Sequence, residues 1–254
     1  MEIILPEYAK YIYEINYLRI KAAKSLAHRD ALKYHICKYI ELDYMLKVGA
    51  LEYKQMIIEN KVEKTKRMLY YLKEINIQPQ ELSAIIKKEF EEQDKKIALM
   101  GEAVNDAIDM SLKKIPSEDE IIEINSYYLV LMKDYSPEIN LNNTEEENNL
   151  YQEIVSTYKA CNVKAMKKYE KLKKDELFFD ELEAYRKEKI RLQALLEKVN
   201  NEIVEIKNKF PYTEKLGLQD ENLFRRRKES INTKIQLLDT ELEELQKELK
   251  NFKK

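Results

Sequence analysis

Few residue clusters in this chain have the types and spacing that chemistry demands. The only histidines are His28 and His35, and His35-Ile36-Cys37 has the makings of half a metal site. On a helix, however, residues two apart face different directions, and no second Cys/His pair lies nearby to complete a ligand set. Nucleophilic catalysis lacks its parts as well: there is no Gly-x-Ser-x-Gly elbow and no histidine placed with a serine or cysteine. Neighbouring carboxylates such as Glu89, Glu91 and Glu92 have the groups for acid–base work. On a chain in which 36% of residues are charged, such runs read as solvated helix faces. The one dense basic run, Arg225-Arg226-Arg227-Lys228, follows Phe224 and has phosphate-binding chemistry. It suits equally the start of a coiled-coil arm, where arginine stems cover the seam and the heads stay in water. No catalytic, cofactor or metal site is expected, and the chain reads as a non-enzyme.

The elements that would carry these residues are helices. With 3 Gly and 5 Pro in 254 residues there are few turns and no glycine-rich phosphate cradle. A 44% hydrophobic share beside the high charge fits long amphipathic helices rather than disorder. The 45 basic and 47 acidic residues nearly cancel, so no global field favours nucleic acid. Cys37 and Cys161 read as two buried thiols of a reducing compartment. Met1 to Pro6 lacks the basic and long apolar stretches of a signal peptide. The longest apolar run, Tyr127 to Met132, is far short of the ~20 residues a membrane span needs. A cytoplasmic protein is expected, without a membrane or nucleic-acid partner.

Three zones follow one another: long helices over 1–115, a helical hairpin over 116–174 and a coiled-coil hairpin over 175–254. In the first, Pro6 suits an opening helical turn, and Asp30 is placed to cap a second helix reaching about Ile75. Asn76-Ile77-Gln78-Pro79 breaks that helix, and a third follows to about Lys114 with Gly101 as its weak point. In the last zone Leu192, Leu196, Val199, Ile203, Ile206 and Phe210 alternate steps of four and three. So do Ile231, Ile235, Leu238, Leu242, Leu245, Leu249 and Phe252. Such alternation keeps one narrow stripe on the 3.5-residue period of a coiled coil. Pro211-Tyr212 stops the first arm and Gly217 offers a turn, which predicts that the arms fold back on each other as an antiparallel hairpin. Pairing of each arm with another chain, giving a homo-oligomer, is the alternative.

The middle zone carries the most specific pattern. Ser117 and Glu120 form a capping box, and the helix they open carries Ile121, Ile122, Ile124, Tyr128, Leu131 and Met132. Pro137 pushes Ser136 out of the helical region and ends it. A second capping box, Thr144 with Glu147, opens a helix that lines up Leu150, Ile154, Val155 and Tyr158. This hairpin resembles the J domain of the co-chaperones that stimulate heat-shock ATPase chaperones. More closely, it resembles a bacterial group of long helical proteins that carry a J-like hairpin between an N-terminal helical region and a C-terminal coiled coil. Tyr135-Ser136-Pro137-Glu138-Ile139-Asn140 stands in the register of the family's Tyr-His-Pro-Asp-Leu-Asn loop. Leu150, Tyr151, Val155 and Tyr158 fall where the group has apolar residues, with Thr157 in place of an alanine. The stretch from about His35 to Tyr53, with its run from Tyr44, and that from Ile206 to Tyr212 are similar to the group's flanking segments.

The resemblance implies an all-α fold and a binding loop at Tyr135, Ser136, Pro137 and Glu138, with a heat-shock ATPase chaperone or its client as partner and no cofactor. In the family the His-Pro-Asp tripeptide triggers the partner's ATP hydrolysis, and here only Pro137 is kept. Serine lacks the imidazole's size and donor–acceptor pair, and glutamate sets its carboxylate one methylene further out. The preceding helix is basic in the family. Residues 117–135 here hold Glu118, Asp119, Glu120, Glu123 and Asp134 against Lys133 alone, a charge of the wrong sign for an acidic partner. The expectation is a degenerate J-like adaptor that does not stimulate the ATPase. A structural coiled-coil scaffold without any chaperone link is the alternative.

Overall fold

The computed structural model describes residues 7–75, 77, 79–113, 116–174, 179 and 181–252. The expectations placed on Met1 to Pro6, on Asn76 and Gln78 of the helix break and on Lys114 lie outside them. The protein is all-α. Its helices, in chain order, are α1 (Glu7–Ala31), α2 (Cys37–Tyr44), α3 (Ala50–Tyr70), α4 (Pro79–Glu89), α5 (Glu91–Ser111), α6 (Glu118–Tyr135), α7 (Glu145–Lys159), α8 (Val163–Met166), α9 (Leu182–Lys207), α10 (Lys215–Gln219) and α11 (Glu221–Phe252). Wide π turns at Leu32–Ile36, Met45–Gly49 and Tyr71–Ile75 follow α1, α2 and α3. Each inserts extra backbone into a turn and rotates the face that is buried beyond it. Helical bonding is therefore unbroken at Asp30, which is not a cap: it lies inside α1 and is buried. Gly217 likewise sits within α10 rather than at a turn.

The chain divides into two compact units, Met1–Tyr39 with Ile115–Thr213, and Ile40–Lys114 with Glu214–Lys254. These differ from the three consecutive zones read from the sequence, because each long C-terminal helix joins an N-terminal one. In the first unit α9 lies along α1 through Tyr185, Leu192, Val199 and Ile203, which meet Ile15, Ala22 and Leu26. Polar pairs along this seam join Glu14 to Lys189 at 2.7 Å, Ser25 to Asn200 at 3.2 Å and Arg29 to Glu202 at 3.1 Å. Both residue numbers rise together, so the two helices are parallel. On its other side α1 packs against α6, and α7 folds back on α6.

In the second unit α11 lies along α3. Ile231, Ile235 and Leu242 close against Ile58 and Val62. Ion pairs tie Glu52 to Arg227 at 2.9 Å, Glu59 to Lys234 at 2.5 Å, Lys66 to Glu241 at 2.9 Å, and Lys73 to Glu248. Both members advance by seven residues from rung to rung, so the two helices run parallel with charges flanking their apolar seam. The expected antiparallel pairing of 192–210 with 231–252 is thus corrected: each apolar stripe is covered by a parallel partner in its own unit. A heptad stripe states that a partner exists, not which helix it is or which way it runs. Helix α5 also packs on α3, where Gly101 permits the approach. A Cβ there would stand 2.8 Å from the Tyr53 hydroxyl oxygen and 2.9 Å from the ring carbon that bears it.

The parallel register is testable by charge exchange. Glu59→Lys sets two cations against each other and is expected to lower the denaturation midpoint. Lys234→Glu in the same chain should restore it, with a coupling of about 0.5 kcal/mol in a double-mutant cycle. Additive effects of the two changes would mean that 59 and 234 do not face one another.

Candidate functional site

The loop 136–144 between α6 and α7 is held by side chains of α1 and α9 and by its own asparagines within the first unit. Both expected capping boxes are present: the Ser117 and Thr144 side chains accept from the amides of Glu120 and Glu147, whose carboxylates accept in return from the cap amides. Helix α6 ends at Tyr135, and Ser136 takes extended backbone angles before Pro137. The Asn140 amide donates to the carbonyls of Lys133 at 3.0 Å and Ser136 at 3.2 Å, and Asn143 donates to that of Tyr135 at 2.8 Å. Arg191 of α9 donates to the carbonyls of Glu138 at 2.8 Å and Ile139 at 2.6 Å. The carbonyls left by the end of α6 are therefore taken up by side chains of the loop itself and of a neighbouring helix.

The four loop residues singled out in the sequence are brought together, but facing inward. Tyr135 is buried and Ser136 is 0% exposed, while Pro137 and Glu138 are half-buried. The Glu138 carboxylate takes a two-pronged contact from Arg29 of α1, Nη2 to Oε1 at 2.9 Å and Nη1 to Oε2 at 3.3 Å. The same guanidinium reaches Asp30 at 3.0 Å and Glu202 at 3.1 Å. Arg29 is 9% exposed. Burial opposes its charge, but the hydrogen bonds and charges of Glu138 and Asp30 prevail and raise its pKa above the ordinary arginine value.

Asp30 is in turn the acceptor for the Tyr128 hydroxyl at 2.7 Å. The Tyr128 ring stacks on that of Tyr158 at 3.8 Å between centroids, and Tyr158 donates to Asn125 at 2.5 Å. Burial, reinforced by the Asp30 charge, raises the phenol pKa of Tyr128 and Tyr158. Tyr151 is pushed up to about 12 by burial and the Asp30 charge, with the Ser136 and Tyr128 hydroxyls pulling the other way. At any ordinary pH these phenols stay protonated, so they donate hydrogen bonds and do not act as bases.

The remaining sequence candidates lie elsewhere. Within the first unit, His35 is buried in the π turn Leu32–Ile36 with its ring edge-on to Tyr158 at 4.6 Å. Cys37 is buried and Cys161 is half-buried. In the second unit Arg227 of the basic run is spent on Glu52, on Glu214 at 2.6 Å and on the Tyr44 hydroxyl. Glu89 holds Arg67, while Glu91 and Glu92 hold Lys95, which places those carboxylates in surface ion pairs. Among the described residues no group of three or more His, Cys, Asp or Glu side chains converges as a metal site. No described helix is long and apolar enough to cross a membrane.

Sequence reading missed the partners that fix the loop: Arg19, Arg29, Arg191 and Glu202. A signal was there. Ile12, Ile15, Ala22 and Leu26 mark a stripe in α1, and Arg19 and Arg29 occupy stripe positions in phase with it. A charged residue in an apolar seam needs a partner that lies off the seam. No family model, curated protein or solved structure matches this chain.

Arg29→Met should leave Asp30, Glu138 and Glu202 without their shared cation and cost about 3 kcal/mol in chemical denaturation. Glu138→Asp should cost less, since it only shortens one arm of the contact. If both substitutions leave the midpoint unmoved, the cluster does not hold the loop.

His35 gives a pH dependence of definite sign. Burial first, then the Lys38 charge, lowers its pKa below 6.5, against a weaker opposite effect from the Tyr158 backbone. The unfolded chain therefore takes up this proton before the folded one does. The stability concerned is complete above about 6.5 and is lost as pH falls through the folded value. His35→Phe should flatten the fall of Tm below that pH. His28, also lowered by burial, leaves a residual slope.

Proposed function

We propose that this chain is a non-catalytic, cytoplasmic protein-interaction protein, a J-like adaptor that does not stimulate a heat-shock ATPase. The observation that carries the reading is the placement of Ser136 and Glu138. In the resembled family the loop must present its tripeptide to a partner. Here the first of the three positions is fully buried and the carboxylate of the third is committed to Arg29. This adds a geometric reason to the chemical one, that serine and glutamate replace the histidine and aspartate of the trigger. The acidic α6, with Asp119 and Glu120 near its start, supports the same view, since an acidic chaperone surface would repel it.

Partner recognition then falls to surfaces other than the loop tip. Helix α1 exposes Tyr13, Tyr17 and Ile20, spaced four and three, as apolar surface on one face. Nothing in the reading calls for nucleic acid, a membrane or a cofactor. A purely structural scaffold is the second reading, favoured by the α3–α11 ion-pair ladder. Because that ladder satisfies both stripes within one chain, it lends no support to a homo-oligomer built on them.

The test is a steady-state ATPase assay with a heat-shock chaperone of the same cell, run alongside co-purification. The expected result is unchanged ATP turnover, both for the natural chain and for Ser136→His with Glu138→Asp, because α6 stays acidic in both. Stimulation by the natural chain would overturn the adaptor reading. Absence of any co-purifying chaperone or client would leave the scaffold reading in its place.

A further inference from the structure

Beside the loop, in the same unit, lies a second feature that the adaptor reading does not use. A cavity of about 140 Å³ is lined by Arg19, Arg191, Lys174 and Glu188, by Asn140 and Asn142, and by the apolar side chains of Ile139, Leu141 and Phe179. Its charges do not cancel. Arg191 is gripped by both oxygens of Glu188 at 2.7 Å, and Lys174 lies 2.7 Å from Glu147. Asp134 has Lys133 at 3.5 Å. Arg19 is 5% exposed and has no carboxylate within ion-pair distance among the described residues. Its Nη2 donates to Asn140 Oδ1 at 2.5 Å and to the Lys133 carbonyl at 3.4 Å, and its Nη1 has no partner.

A buried guanidinium cannot relieve its desolvation by losing a proton, so it calls for an anion. Burial does lower the Arg19 pKa from its ordinary value, with the Glu188 and Asp134 charges working against the shift. We propose that this cavity binds a small monocarboxylate, its carboxylate on Arg19 and its apolar body against Ile139, Leu141 and Phe179. Arg19, which no carboxylate contacts directly among the described residues, asks for one negative charge. A phosphate dianion would bring its second charge up to Glu188. A cavity of roughly 150 Å³ takes a benzene-sized molecule, which sets the ligand at about six to nine non-hydrogen atoms. The site stands independently of the adaptor reading, and its test does not involve a chaperone.

Calorimetric titration and thermal melts of the intact chain with butyrate and benzoate test it, with inorganic phosphate and chloride at matched ionic strength as the other arms. Saturable one-site binding of a carboxylate is expected, with Tm rising by about 5 °C at a hundredfold excess over Kd. Phosphate and chloride should give no saturable change. Arg19→Gln should weaken binding at least tenfold. Leu141→Trp, at an exposed position, fills the cavity mouth without touching Arg19, so it covers the case in which Arg19→Gln does not fold. It should abolish binding while leaving the ligand-free Tm near that of the natural chain. Absence of saturable binding by either carboxylate, preference for phosphate, or undiminished binding by Leu141→Trp overturns the proposal.

Discussion

The first unit depends on one guanidinium. Arg29 stands where three elements meet, and each of its contacts ties in a different one: Asp30 on its own helix, Glu138 on the loop and Glu202 on α9. A cation so buried is stabilised by the carboxylates around it, and carboxylates so close together are held together by that cation. The requirement is mutual, and it fixes where the loop can lie. Asp30, held on one side by Arg29, is positioned on the other to accept from Tyr128, and the Tyr128–Tyr158 stack then carries the constraint into α7. The hairpin, the loop and the seam are in this way one connected network.

That network requires α1 and α9 to run parallel and in register. Parallel pairing places Arg19 and Arg29 of α1, with Arg191 and Glu202 of α9, along one side of the loop, so that backbone carbonyls and a carboxylate are met from both helices. Parallel helices cannot be joined by a short turn, and here the whole hairpin of α6, loop and α7 lies between α1 and α9 in sequence. The insertion that makes parallel pairing possible is the element that the pairing clamps.

Local features were legible because their causes are local. Ser117 with Glu120 and Thr144 with Glu147 satisfy amides within one turn, and Pro137 restricts only its immediate neighbour, so those helix ends follow from sequence alone. The stripes from Leu192 and from Ile231 were legible as seams. Their partners were not, because the complementary stripe in α3 is interrupted: Gln55 and Thr65 interleave with Ile58, Val62 and Leu69, which hides the 3.5-residue repeat. Asp30 was misread for a related reason. An aspartate ahead of a helical run looks like a cap unless one knows that a buried arginine and a buried tyrosine will claim it. The end of α6 before Pro137 was legible, but the setting of Ser136 and Glu138 depends on Arg29, more than a hundred positions away, and on Arg191 of α9, which no local rule connects to them.

Buried ion pairs of this sort add less to stability than to choice among alternatives. A seam of leucines, isoleucines and valines can slip by one heptad, about 10 Å along the helix, and still match apolar to apolar. In the second unit the signs disfavour it. The ladder reads Glu52, Glu59, Lys66, Lys73 on one helix and Arg227, Lys234, Glu241, Glu248 on the other. Displacement by one heptad either way brings Lys66 against Lys234 or Glu59 against Glu241, and displacement by two removes the favourable pairs. In the first unit the buried arginines do the same work, because a slip would strand Arg19 and Arg29 in an apolar groove away from Asn140 and Glu138. A loop that serves as the register pin of its own unit has to stay docked whenever the unit is folded. A loop that delivers a trigger has to be free to leave. The side chains of Ser136 and Glu138 are suited to the first of these tasks, and the substitutions that would suit them to the second would weaken the pin.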